Sequence, residues 1–84
     1  MSPQQMKRIR ESLGLTQSEF AACLGLTQKT VSQYEMGFRV PGPTVKVVVK
    51  TLDILPATQA KKLLETMLDV AEKQKKDSSK RSSD

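Results

Sequence analysis

Histidine is absent from this 84-residue chain and cysteine occurs once, at Cys23. The first absence removes the usual zinc sites and every catalytic dyad or triad built on an imidazole, and the second excludes an internal disulfide. Long hydrophobic runs are missing too. The longest apolar stretch, Phe20 to Leu24, cannot span a bilayer, and the N-terminal MSPQQMKRIRESLG has no apolar run that could serve as a signal peptide. These absences lead to the expectation of a cytoplasmic, non-enzymatic protein with no cofactor, no metal and no membrane association.

What is present suits one small domain, whose modest core often needs a partner for stability. The formal charge of +5, from 14 Lys and Arg against 9 Asp and Glu, fits a polyanionic partner. Its distribution weakens that argument. The segment from Lys73 to Asp84 holds five cations against two acids, so residues 1–72 carry only +2.

Glycine and proline divide the chain at Gly14, Gly25, Gly37 to Pro43, and Pro56 into blocks that suit five helices and an all-α fold. In the first, Ser2 caps, Pro3 takes the first helical position, Gln5 completes an S-x-x-Q capping box, and Met6, Ile9 and Leu13 form the apolar stripe. Thr16 to Glu19 is a second capping box, followed by Phe20, Ala21 and Leu24 on one face and Gly25 as the stop. Cys23 reads as a small half-buried residue of this helix. Thr27 caps a third helix running to about Met36, with Val31, Tyr34 and Glu35 on one side. The fourth segment, PTVKVVVKTLDIL, alternates like a strand at Val45, Val47 and Val49 but also fits a helical stripe at Val45, Val48, Val49, Leu52 and Leu55. A lone strand would leave its backbone groups unpaired, which favours the helix. From Thr58 to about Lys75, Ala60, Leu63, Leu64, Met67, Leu68 and Ala71 trace the clearest amphipathic helix. The remaining KDSSKRSSD is polar and charged and is expected to be disordered.

The third helix presents an unusual face, for Gln28, Lys29, Ser32 and Gln33 are mostly uncharged amides and hydroxyls where a solvated helix normally carries Glu and Lys. Two short helices joined by a glycine turn, with a capped second helix exposing hydrogen-bonding side chains, form the arrangement that enters the DNA major groove. The stretch Gln17 to Tyr34 resembles the helix-turn-helix of the lambda-repressor-like (XRE) family. Phe20, Leu24, Leu26, Val31 and Tyr34 occupy its apolar positions, Ala21 is the small residue at the helix crossing, and Gly25 sits in the turn. The resemblance spans about residues 4–55 and includes Thr16-Gln17, Tyr34-Glu35, Gly37 and Pro41.

On this footing Gln28, Lys29, Ser32 and Gln33 are the candidates for base contact, with Met36 partly exposed nearby. Gln pairs bidentately with adenine and Lys donates to guanine, and the resemblance to phage repressors supports Gln28 and Gln33. Gln17, Arg39 and Lys46 are expected on phosphates. The resemblance also implies an ion pair between Arg10 and Glu35, making them structural support. It implies a sequence-specific regulator of transcription, expected to be a repressor that binds an inverted repeat of double-stranded DNA as a homodimer. The chain then divides into a helix-turn-helix domain at 1–57, a C-terminal amphipathic helix for packing or dimerisation at 58–75, and a disordered polar tail at 76–84. Ala60, Leu64, Met67 and Ala71, spaced 4, 3, 4, form the expected dimer seam. The alternative is an antitoxin, since the family includes small chains that repress their own operon and neutralise a toxin protein by contact. PGPTVKVVVKTLDIL resembles the corresponding antitoxin helix.

Overall fold

The structure, a computed structural model, describes the backbone of residues 1–82 and the side chains of residues 1–74. Five helices follow one another: α1 (Pro3–Ser12), α2 (Gln17–Leu24), α3 (Gln28–Met36), α4 (Pro43–Ile54) and α5 (Ala57–Ser82). No strand occurs among the described residues. The starts of the first three are set by side chains that satisfy otherwise orphaned amides. Ser2 and Gln5 form a reciprocal box, as do Thr16 and Glu19, and the Thr27 hydroxyl accepts from the Thr30 amide. Gly25 and Gly37 end α2 and α3 in the left-handed conformation, at φ 69° and 80°, which a residue with a Cβ adopts only under strain.

PTVKVVVKTLDIL is helical. Gly42 and Pro43 start it, and Leu55 leaves it in extended conformation because Pro56 follows. Val49 and Leu52 point into the core and Val45, Val48 and Leu55 lie half-buried against it, so burial of one helical stripe outweighs the β-branched preference for a strand.

The core joins Met6 and Ile9 of α1, Phe20, Ala21 and Cys23 of α2, Val31 and Tyr34 of α3, Val49 and Leu52 of α4, and Ala60 and Leu64 of α5. It crosses residue 57 without a break. Cys23 is buried, more fully than half, and burial together with the nearby Glu19 charge pushes its thiol pKa up. A packing role follows.

The α5 stripe corrects the expected dimer seam. Ala60 and Leu64 are only 1% and 6% exposed within a single chain, and Met67 is half-buried against the same core. The reason lies in α2, whose eight residues cannot cover their own apolar face. Helix α5 packs most extensively on α2 and more lightly on α4, which takes Ala60 and Leu64 into the chain's own core and leaves Met67 and Ala71 half-buried. The helix also continues through Ser82, past Lys75 and into the segment expected to be disordered. No Gly or Pro follows Pro56 to stop it. Ser83 and Asp84, and the side chains from residue 75 onward, lie outside the described residues. No described helix is long and apolar enough to cross a membrane.

One polar link ties α1 to α3. Arg10 Nε and Nη2 donate to the two carboxylate oxygens of Glu35 at 2.7 and 3.0 Å, and Nη1 donates to the Leu15 carbonyl at 2.8 Å. The two side chains are 11% and 4% exposed, which distinguishes this pair from a screened surface contact. Burial pushes the Glu35 pKa up, but hydrogen bonds from Arg10 and Gln17 and the charges of Arg10 and Lys7 outweigh it and hold the carboxyl below its usual range.

Two expectations follow, both measurable by chemical denaturation. Arg10→Met should destabilise the chain by about 3 kcal/mol, because Glu35 is left charged and unpaired, and Arg10→Met with Glu35→Leu should recover most of that loss. Because Glu35 has the lower pKa when folded, the unfolded chain binds more protons in acid. Its stabilising contribution is complete above the unfolded value and is lost as pH falls below about 5, more steeply than in Glu35→Gln. Among the glycines, Gly25→Ala should cost about 1–2 kcal/mol through its positive φ although the space is open, whereas Gly42→Ala, at φ −69°, should change stability by less than about 0.5 kcal/mol.

Candidate nucleic-acid interface

Helices α2 and α3 pack on each other, and Phe20, Ala21 and Val31 are buried in the core they share. The Leu26 amide donates to the Ala21 carbonyl at 2.9 Å, which closes the turn around Gly25. With Val31 and Tyr34 turned inward, helical spacing leaves Gln28, Lys29, Ser32 and Gln33 on the outer side. Gln28 and Lys29 are exposed, Ser32 and Gln33 half-buried, and Met36 exposed at the far end. The first turn of α3 holds no acid. Its sole acid, Glu35, is the one bound by Arg10, so the outer face presents no carboxylate to a polyanion.

A chain of amides continues from the ion pair to this face. Gln17, the first residue of α2, donates to Glu35 Oε1 at 3.2 Å and accepts from Gln28 Nε2 at 3.5 Å, a long contact. Gln17, expected on phosphate, lies between Glu35 and Gln28. Each amide nitrogen carries two hydrogens, so Gln17 retains one for an outside oxygen. Gln28 keeps its own carbonyl oxygen and one N–H, the pair needed to meet the N6 and N7 edge of adenine. Ser32 Oγ donates along the helix to Met36 Sδ at 3.6 Å, a weak acceptor that a base or phosphate can displace.

The phosphate candidates are not gathered equally. Arg39 is exposed in the loop just beyond α3, whose backbone is fixed by the Phe38 and Arg39 amides donating to the Gln33 carbonyl. Lys46 lies half-buried on α4, a helix that packs chiefly on α1 and α5. Lys7, not among the expected site residues, lies close enough to Glu35 to lower its pKa and is exposed on α1. Its position one turn before Arg10 was the available signal. No group of three or more metal-ligating side chains occurs among the described residues.

A model of the helix-turn-helix family matches residues 6–58, which take in most of α1, all of α2 to α4 and the start of α5. No curated protein and no solved structure matches the chain. Family membership implies DNA binding and a role in regulating transcription. The glycine turn, the crossing at Ala21 and the acid-free outer face of α3 supply the physical counterpart of that match, and the chain belongs to the lambda-repressor-like (XRE-type) helix-turn-helix family.

Proposed function

We propose that the protein is a transcriptional repressor that binds an inverted repeat as a homodimer, with α3 of each copy in the major groove. The observation that carries this reading is the division of labour on α3. Its sole acid is turned inward and neutralised by Arg10, while Gln28, Lys29, Ser32 and Gln33 leave the outer face free of negative charge and rich in base-matching donors and acceptors. Gln28 and Gln33 read bases, Lys29 adds a donor for guanine, and Ser32 takes either a base or a phosphate. Gln17 and Arg39 fix register on the backbone, and Lys46 adds a more distant phosphate contact. Two copies are favoured because one module reads few base pairs, while half-sites about 34 Å apart multiply specificity.

The antitoxin role is the second reading. It draws on exposed Val40, Val47 and Ile54, which fall in the stretch that resembles an antitoxin helix or just before it. A toxin gene beside this one, with co-purification of its product, would favour that role.

Gln28→Ala and Gln33→Ala should each lower affinity at the preferred site by about 1–3 kcal/mol and relax the base preference at one position. Arg39→Ala should instead weaken binding to all sequences alike and reduce the salt slope by about 1. Titration of labelled duplexes at several salt concentrations distinguishes the two classes, and undiminished affinity with an unchanged consensus in both glutamine variants would remove α3 from the readout.

A further inference from the structure

Helix α4 is apolar on two sides. Val49 and Leu52 are buried in the core, yet Val47 and Ile54 on the outer side are 65% and 81% exposed. A helix with apolar residues all round is normally covered all round, and within one chain only the inner side has a cover. Valine is also a weaker helix former than the Lys, Glu or Ala that an exposed position usually carries, so Val47 costs stability with no return inside the chain. Exposed Phe38 and Val40 lie in the loop that joins α3 directly to α4, so the apolar surface follows the DNA-reading helix along the chain.

We propose that a second copy of this chain covers the outer face of α4, the two α4 helices packing antiparallel about a two-fold axis between Lys50 and Thr51. The inference rests on the dimeric reading above and names its surface. Residues 47 and 54 are two turns apart, about 10 Å along one side of the helix, and equally distant from that axis. An antiparallel partner therefore sets Val47 against Ile54 of the partner subunit and Ile54 against the partner subunit's Val47, an isologous contact. The same register brings Lys50 within one turn of the partner's Asp53, twice over, and neither residue has an ion-pair partner among the described residues. The face is complementary to itself in apolar pattern and in charge, which is what selects a second copy over an unrelated protein. A contact centred on so few large side chains falls at the small end of specific interfaces, so the free chain should dimerise in roughly the micromolar range.

The test uses the full chain in sedimentation equilibrium, alone and with duplex DNA, together with circular dichroism. Wild type should self-associate at micromolar concentration, and Ile54→Lys should stay monomeric over the same range with an unchanged helical spectrum. In a parallel arm, Thr51→Cys, beside the axis, should cross-link with a short bis-maleimide at least ten times faster than Glu65→Cys on the exposed side of α5; buried Cys23 stays in place. Should Ile54→Lys fail to fold, the cross-linking ratio decides. A dimer that survives Ile54→Lys, or equal cross-linking rates at the two positions, would overturn this surface and leave the dimeric reading standing. A wild-type chain that remains monomeric both alone and on DNA would overturn both, and would leave the apolar face to another protein.

Discussion

The guanidinium of Arg10 reaches both oxygens of Glu35 and the carbonyl of Leu15, and so fixes α1, the loop into α2, and the end of α3 with one group. A bidentate fork defines orientation as well as distance. The pair also has an electrostatic consequence. Glu35 is held ionised and turned away from the outer face, and through Gln17 its position is passed to Gln28, the first residue of the candidate readout helix. The stability of the fold and the character of the candidate readout face thus depend on the same contact.

The second constraint is length. Helices α2 and α3 have eight and nine residues, too few to persist in water unless packing supports them. Caps at Thr16 and Thr27 and left-handed glycines at 25 and 37 set their ends, but their apolar faces need a cover, which α1 supplies for α3 and α5 for α2. This use of α5 is why Ala60 and Leu64 are core residues, and why large exposed apolar side chains lie instead on α4 and in the loop before it, at Phe38, Val40, Val47 and Ile54.

Much of this was legible in the sequence because the signals were local. Capping boxes announce themselves within four residues, and the glycine stops and the 3.6-residue stripes placed all five helices. The ion pair was legible only through family resemblance, since Arg10 and Glu35 are 25 residues apart and nothing local links them. The site was read unevenly. The outer positions of α3 follow from helical spacing, whereas the Gln17 contacts depend on how α2 meets α3, which no local pattern encodes. The seam expected at Ala60, Leu64, Met67 and Ala71 loses Ala60 and Leu64 to the core for a related reason: a periodic stripe states that a face is buried but does not state against what. The helical backbone past Lys75 shows the converse, a polar segment with no stop signal.

In the proposed function the outer face of α3 reads base sequence and two copies do so together. Selection of wild-type chain from a random duplex library, at a stated physiological salt concentration, tests it most directly. The expected result is enrichment of an inverted repeat whose half-sites lie about one helical turn apart, with adenine or guanine at the positions that face Gln28, Lys29 and Gln33. Recovery of no consensus, with affinity set by salt alone, would contradict it.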